Sequence, residues 1–491
     1  LANLAQAEVA AEETVTPAAF ENGETATVNS NEEAADPVQV VVAPALDEEA
    51  VAEATLDATA ASELLPAKEA NTVVSQAQTS APQSLADPDD ADAPEIDRVW
   101  RGLTYAELAY SDSTNRPTTN STIEAFMALK NLENEGHADR ANLLKFAGWG
   151  GVYQGLRTDN RKSSDNHQGN RLAIALDMSP EDLHELLSQN RLESYYTPAP
   201  VVHAMWQAIL RAGISPTGRF LDPGCGSARF YVGAPEEVQR HGTLVGVECD
   251  PLAVRMARQS APDAKIVEGR YEQVGLRNDF NAVIANVPFG ETLITDPKYP
   301  KVRHIHDYFI TKSLDKLAPG GIMVVMTSSG TMDKADPSVR QQIMDRADLL
   351  AAFRLPEETF SHQQASVVTD VLILHRRPAG TVPRYDFTGT GEMKRQYGGS
   401  EVSFSVNQYF LENPQNILGK AVATSSAFGP RLTVYSNNNS PTLGIKLQAI
   451  GDALLARIND TIPPGFAMRN DWEYLPGQTP VTKSEFDSLD E

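Results

Sequence analysis

Phe220-Leu221-Asp222-Pro223-Gly224-Cys225-Gly226-Ser227-Ala228 reads as a short buried strand, Arg219–Asp222, that runs into a glycine-rich turn and a helix start. Small residues in such a turn let the backbone approach a ligand closely, and the amides of a helix start favour anionic groups. Outward from this turn, short apolar runs alternate with helical spacing. Val201–Ala212 is predicted as the helix before it. Strands are predicted at Thr243–Glu248, Lys265–Glu268, Ala282–Ala285 and Ile322–Thr327, with helices at Pro251–Gln259 and Asp307–Leu317. Pro319-Gly320-Gly321 is expected to close the latter helix, and Leu349–Arg354 and Ser366–His375 to add two more strands. Short buried strands alternating with amphipathic helices specify an α/β fold, a mostly parallel sheet covered on both faces. Ligands of such sheets sit beyond the carboxyl ends of the strands, at the switch point of strand order. The glycine turn, Glu248 and Asn286 all fall there.

Charge divides the chain unevenly. Residues 1–95 hold 20 Asp and Glu against the single Lys68, a net of −19, whereas the whole chain carries −25, so residues 96–491 carry −6. This acidic stretch is poor in aromatics and cannot bury enough apolar surface to offset its ordering entropy, so it is expected to be a disordered tail. A solvating or packaging role suits it, as would a DNA-mimicking or partner-binding one. Residues 96–190 are expected to form a helical layer from Thr122–Leu132, Ala138–Phe146 and Pro180–Gln189, with the Trp149 of Gly148-Trp149-Gly150-Gly151 anchoring a loop on it. The sheet is assigned to residues 191–377, and residues 378–491 to a region of shorter elements such as Val406–Glu412 and Leu432–Tyr435.

Cys225 and Cys249 are the only cysteines, which leaves no CxxC zinc ribbon and fits a reducing compartment. No apolar run reaches membrane-spanning length, and the start at Leu1 lacks the features of a signal peptide, which fits a processed chain or a fragment. No Walker A sequence is present. His304, His306 and Asp307 are too close together to suggest a metal site, and Asp307 is expected to cap the following helix. No metal is therefore expected. Pro262-Asp263-Ala264-Lys265 lacks the third acid of a nuclease cluster.

Two elements carry chemistry. Glu248 ends the second strand, where an acid can accept both ribose hydroxyls of a nucleoside cofactor. No third glycine is placed for a dinucleotide fingerprint, so an NAD site is the lesser reading. Asn286-Val287-Pro288-Phe289 follows the fourth strand. An exocyclic amine conjugated to a ring is a poor nucleophile. The Asn286 oxygen and a backbone carbonyl could hold its hydrogens, while Phe289 offers a flat face to an extruded base.

Tyr196-Thr197-Pro198, Asp222-Pro223-Gly224-Cys225-Gly226-Ser227, Glu248 and Asn286-Val287-Pro288-Phe289 in this order resemble the γ-type amino-methyltransferases of DNA. Five further stretches extend the likeness: Gly148-Trp149-Gly150-Gly151, His306-Asp307-Tyr308-Phe309, Thr331-Met332-Asp333-Lys334, Arg354-Leu355-Pro356 and Gly290 after Phe289. With them, residues 117–425 resemble the methylase portion of large phage and plasmid methylase–helicase proteins, a group that includes the DarB-type antirestriction proteins. The resemblance implies a Rossmann-like S-adenosylmethionine-dependent methyltransferase sheet acting on the N6 amino group of adenine in DNA. Tyr196, Thr197, Pro198, Asp222, Gly224, Gly226 and Glu248 would hold S-adenosylmethionine, and Asn286, Val287, Pro288 and Phe289 would present the base. Val287 replaces the family's first proline and keeps its carbonyl. Arg270 stands where relatives have an acid, and Glu272 is the substitute expected at the cofactor's adenine. The resemblance implies DNA as partner, with a helicase domain or other phage or plasmid proteins, and a bacterial cytoplasmic setting or virion packaging. Asn-Pro-Pro-Tyr-like elements also methylate protein glutamine and RNA guanine, and a non-catalytic virion or partner-binding protein could retain the fold.

The cations Arg376, Arg377, Arg384, Lys394, Arg395, Lys420 and Arg431, interleaved with Tyr397, Tyr409 and Phe410, offer a candidate phosphate-contacting surface or an ordinary solvated face.

Overall fold

Successive residues of the central strands point to opposite faces, and both faces are buried. In β1 (Arg219–Asp222), Phe220 belongs to one apolar cluster and Leu221 to the other. The same alternation separates Val283 from Ile284 in β4 (Phe280–Asn286) and Val324 from Val325 in β5 (Leu317–Ser328). A sheet dry on both faces demands a layer on each side, which is why its strands read as continuous apolar runs. The computed structural model describes residues 99–115, 118–136, 138–149, 165–190, 195–290, 292–302, 304–361, 363, 367–426 and 429–468. The acidic stretch 1–95 and the Gly150-Gly151 pair lie outside the described residues.

Seven strands run in the order β3-β2-β1-β4-β5-β7-β6, with β2 at Thr243–Glu248, β3 at Lys265–Glu268, β6 at Ala347–Arg354 and β7 at Thr369–Arg376. Neighbours from β3 to β5 pair in parallel, while β7 is antiparallel to both β5 and β6. Strand order reverses between β1 and β4, so the loops leaving these strands part and open a cleft between them. This is the α/β sheet expected from the sequence. One detail differs. Pro319-Gly320-Gly321 does not separate helix from strand but lies inside β5, where the register against β4 is irregular. Gly320 has φ +85°, and a Cβ on Gly321 would come within 3.0 Å of the Asn281 carbonyl, so glycines admit the irregularity.

The helical layer contains α1 (Tyr105–Thr114), α2 (Thr119–Glu135), α3 (Asp165–Ala175) and α4 (Pro180–Asn190). Reciprocal capping by Thr104 and Glu107 starts α1, and Thr118 with Ser121 starts α2. Ala138–Phe146, expected to be α-helical, forms a single 3-10 stretch, Arg140–Lys145, between the Asp139 cap and an extended Phe146. Leu108, Phe126, Leu129, Leu143, Phe146 and Trp149 build this layer's own apolar core.

α5 (Ala199–Ala212) starts with Pro200 in its first turn and stops at Gly213, whose φ is +101°. Its apolar face packs on the sheet. α6 (Pro251–Ser260) follows β2, and α7 (Ile305–Lys316) precedes β5. A nineteen-residue helix, α8 (Leu443–Thr461), was not foreseen, because Gly444 and Gly451 weaken its helical signal. Gly451 is required there. A Cβ would fall 2.4 Å from Pro200, so the glycine lets α8 lie directly on the start of α5. Ile450, Leu454 and Ile458 join the sheet's core in consequence. Two hairpins precede α8, β8 (Thr390–Tyr397) with β9 (Ser400–Asn407) and β10 (Lys420–Ser426) with β11 (Gly429–Tyr435). Val406–Glu412 thus divides between the end of β9 and a short helix, Gln408–Glu412. Among the described residues, no helix is long and apolar enough to cross a membrane.

Candidate active site

The turn after β1 is shaped by close contacts. Gly226 has φ +53°, and a Cβ there would lie 2.9 Å from the Tyr196 ring, so no other residue fits without displacing that ring. Asp222 is buried, and one carboxylate oxygen accepts from the Gly224 N–H at 3.2 Å. Its other oxygen is buried without a hydrogen-bond partner, and burial pushes the carboxyl well above its ordinary pKa. Asp222 lies behind the turn and does not line the cleft.

Glu248 reaches across from the end of β2. One carboxylate oxygen accepts from the Gly226 N–H and the other from the N–H groups of Cys249 and Asp250, each at 2.8 Å. Burial pushes this carboxyl above its ordinary value, against the pull of the three donors. A carboxylate offers about four acceptor positions, so roughly one remains for a ligand while all three backbone bonds hold. Accepting two ribose hydroxyls would require giving up one of them.

Tyr195, Tyr196 and Thr197 form the facing wall, and the backbone from Tyr196 to Ala199 is gripped by three side chains. Gln363 is buried; its Oε1 accepts the Tyr196 N–H at 2.8 Å and its Nε2 donates to the Tyr196 carbonyl at 2.6 Å. Arg229 donates to the Thr197 carbonyl at 3.1 Å and forms a bidentate pair with Asp112 of α1, both contacts at 2.6 Å. Asp112 also accepts from the Ala199 N–H at 2.7 Å. The helical layer therefore fixes one wall of the cleft.

At the end of β4, the Asn286 side chain donates from Nδ2 to the Tyr195 carbonyl at 2.9 Å. Its Oδ1 is buried and has no hydrogen-bond partner. An amide carries a donor end and an acceptor end, so engaging the donor leaves an unpaired acceptor on a residue that lines the cleft. An unpaired buried carbonyl oxygen costs about 1–3 kcal/mol, a penalty that a donor from a ligand would relieve. Pro288 follows on the lip. A Cβ on Gly224 would stand 3.7 Å from Pro288 and 3.4 Å from Phe309, so the glycine turn and the Asn-Val-Pro-Phe element meet here.

A train of aromatic rings runs from the helical layer into this cleft. Phe126 stacks on Trp149 at 5.5 Å, Phe146 meets Trp149 edge-on at 4.9 Å and Tyr196 at 5.5 Å. Trp149 donates from Nε1 to Asp250 at 2.6 Å, and Asp250 also caps α6 through the Leu252 N–H. Trp149 thus anchors its loop, as expected, and also lines the cleft.

The cleft encloses about 160 Å³. Of the residues expected to hold a cofactor, it is lined by Tyr196, Thr197, Gly224, Gly226, Glu248 and Glu272, while Pro198 and Asp222 stand outside its lining. Of those expected to present a base, Asn286 and Pro288 line it. Val287 is buried in the core and Phe289 is half-buried, and both stand outside the cleft lining. Trp149, Tyr195, Asp250, Tyr271 and Phe309 line it without having been assigned there. Asp250 carried a readable signal, an acid directly before Pro251 at a helix start, and Trp149 and Phe309 stood in stretches that carry the family resemblance.

Several other expectations are corrected. His304, not Asp307, is the N-cap of α7; Asp307 sits inside the first turn, buried and ion-paired with Lys334. Asp263, in the stretch already set aside as a nuclease cluster, pairs with Arg101. The cations of 376–431 are largely compensated within the fold. Arg376 pairs with Asp315, Arg377 and Arg384 with Asp348, Lys394 with Glu401, and Arg431 with Glu357, while Tyr409 and Phe410 are buried. Arg354 is likewise structural, bonded to Asp370 twice at 2.8 Å and to Asp333 at 2.7 Å, and lying over the Phe410 ring.

A doubly wound sheet with an acid at the end of β2 and a glycine turn at its switch point has the arrangement of a nucleoside-cofactor fold. Residues 187–397 match the family model described as N-6 DNA Methylase. The chain is 28% identical over 196 residues to the Defense against restriction protein B of Escherichia phage P1, a match covering 38% of this chain and 8% of that protein. It is 46% identical over 68 residues to the Type II methyltransferase M.XamI of Xanthomonas campestris pv. amaranthicola, covering 14% of this chain and 12% of that enzyme. The chain thus spans about a tenth of the length of these curated relatives. Among solved structures, the type I restriction-modification system methyltransferase subunit from Streptococcus thermophilus aligns with a TM-score of 0.33 and 15% identity, over 52% of this chain and 66% of that one.

Proposed function

We propose that this chain transfers a methyl group from S-adenosylmethionine to the N6 amino group of adenine in DNA. The observation that carries the proposal is the Asn286 amide on a residue that lines the cleft, its donor end engaged by Tyr195 and its acceptor end buried and unpartnered. An amine with hydrogens to donate is what such an acceptor fits. The match to the N-6 DNA Methylase family supports the same reading.

The residues present fit the cofactor. Gly226 leaves space no side chain could share, and Glu248 offers a carboxylate acceptor towards ribose hydroxyls. Glu272 lines the same end and is assigned to the adenine ring. Bound there, S-adenosylmethionine supplies a methyl carbon on a positively charged sulfur. Asn286 Oδ1 and the Val287 carbonyl hold the two hydrogens of the amine and turn its nitrogen lone pair towards that carbon. Transfer of that methyl to the amine, with the bonding pair left on sulfur, would release one amine proton to solvent. Holding an amine in this orientation matters most in the transition state, where its nitrogen is becoming positively charged. Pro288 stiffens the lip, and Phe289 provides the stacking face for a base turned out of the duplex.

DNA is the proposed partner, and protection of DNA from restriction is the proposed setting, in line with the phage relative. Labelled methyl transfer to DNA, RNA and protein in parallel, followed by nucleoside analysis, tests the proposal. N6-methyladenine in DNA is expected. Label confined to protein glutamine or RNA guanine would overturn the substrate, and no transfer to any of them would overturn the activity.

A further inference from the structure

The Tyr195 carbonyl that orients Asn286 and the Tyr196 N–H that bonds Gln363 belong to one peptide group. Peptide groups are planar and trans, so this N–H and this C=O point in opposite directions from a single rigid plate. Asn286 Nδ2 holds the carbonyl edge at 2.9 Å, and Gln363 Oε1 holds the N–H edge at 2.8 Å. Gln363 Nε2 then donates to the next carbonyl, that of Tyr196, at 2.6 Å, so the glutamine clamps both polar groups of one residue. Its own place is set by the turn after β6, where the Gln363 N–H donates to the Phe360 carbonyl at 2.9 Å. Gln363 and Tyr196 are 167 positions apart, and Gln363 is 1% exposed, so water does not compete for these bonds.

We infer that Gln363 is a positioning residue for methyl transfer, acting through the Tyr195–Tyr196 peptide plane to hold the Asn286 amide with its oxygen towards the substrate amine. The inference rests on the proposed amine methylation. Gln363 does not line the cleft, so it touches neither cofactor nor substrate. Without its N–H acceptor the plane loses its anchor on that edge and can tilt about its flanking bonds. The Tyr195 carbonyl then moves, and the Asn286 amide can turn its nitrogen inward, replacing the acceptor by a donor. The bonds also polarise one another along the chain, which makes the Tyr195 carbonyl a better acceptor while Gln363 is in place.

The test compares the full chain with Q363L and Q363E in labelled transfer to DNA, with S-adenosylmethionine affinity measured by titration. Leucine keeps most of the volume and loses both hydrogen bonds. For Q363L, kcat is expected to fall about 100-fold, the scale of a misplaced reacting group, with S-adenosylmethionine affinity and KM for DNA nearly unchanged. Q363E adds a pH profile. A protonated carboxyl accepts from the Tyr196 N–H and donates to its carbonyl as the amide does, whereas a carboxylate repels that carbonyl. Asp112, Lys145, Arg229 and Tyr196 border the small cavity beside this side chain. The ratio of Q363E to wild-type kcat is therefore expected to rise as pH falls. Should Q363L not fold, this ratio decides alone. An unchanged kcat in Q363L, a parallel fall of kcat and cofactor affinity, or a pH-independent Q363E ratio would overturn the inference. A wild-type chain that methylates no DNA would instead overturn the proposed function beneath it.

Discussion

Asn286 Nδ2 donates to the Tyr195 carbonyl at 2.9 Å, and this bond decides which way round the amide sits. A backbone carbonyl can only accept, so the side-chain nitrogen must turn to it and the oxygen must turn away. The orientation needed to hold an amine is thus built into the protein before any substrate arrives. Preorganised acceptors of this kind need no rearrangement at the moment of reaction.

The cofactor end should respond to Glu248. Glu248→Gln replaces one acceptor oxygen by a donor that must face a backbone N–H of Gly226, Cys249 or Asp250. S-adenosylmethionine affinity is expected to weaken by about 1.5–3 kcal/mol, the range for hydrogen bonds to a charged group. Isothermal titration of the folded variant checks this, and unchanged affinity would remove Glu248 from the cofactor site. The carboxylate form is the one that accepts, and burial holds its pKa above the ordinary value. Wild-type affinity should therefore decline as pH falls through that raised value, sooner than an exposed glutamate would allow.

Stability should carry a signature of Lys312. This lysine is buried, donates to the Tyr271 carbonyl at 2.6 Å and lies 4.7 Å from the Tyr271 ring centroid. Burial pulls its pKa from 10.5 down to about 8. Between those values the unfolded chain binds more protons than the folded one, so stability should rise with pH across that window. Denaturant unfolding at pH 8 and pH 10 is expected to show this rise in the wild type and a smaller one in Lys312→Met. Equal slopes in both proteins would show that Lys312 does not titrate there.

The Arg354–Asp370 pair should behave as a buried ion pair. Removing one partner leaves the other charge stranded, so Arg354→Met or Asp370→Leu alone should cost about 3–5 kcal/mol. The double variant should be less damaging than the sum of the two, because both stranded charges disappear together. Asp333, the other partner of Arg354, is 17% exposed and can recover hydration. Denaturant midpoints of the two single variants and the double variant measure the coupling. Strict additivity would show that the two charges do not depend on each other.

Much of this architecture was legible because it follows from local pattern. β1 to β4 and their helices announce themselves by apolar runs, and Glu248 and Asn286 stand at strand ends, where a doubly wound sheet gathers its ligands. What escaped was long-range and used generic groups. Tyr195 with Asn286, Trp149 with Asp250 and Gln363 with Tyr196 join residues 91, 101 and 167 positions apart. In the first and third, one partner is a backbone group that any residue could supply, so its side chain carries no signal. α8 escaped for another reason. Gly451 reads as a helix breaker, yet Pro200 allows nothing larger. The arginines of 376–431 looked like a free basic face because their partners, Asp315, Asp348 and Glu357, lie elsewhere in the chain.

The most direct measurement is labelled methyl transfer to mixed-sequence DNA by wild-type protein and Asn286→Ala, with S-adenosylmethionine affinity determined on the same preparations. If Asn286 Oδ1 orients the amine in the transition state, the variant should lose about 10²–10³ in kcat, as when one preorganised polar group is deleted. Its cofactor affinity should stay close to wild type, and the wild-type label should appear as N6-methyladenine. Full activity of Asn286→Ala, or label found only at cytosine C5, would contradict amine methylation at this site.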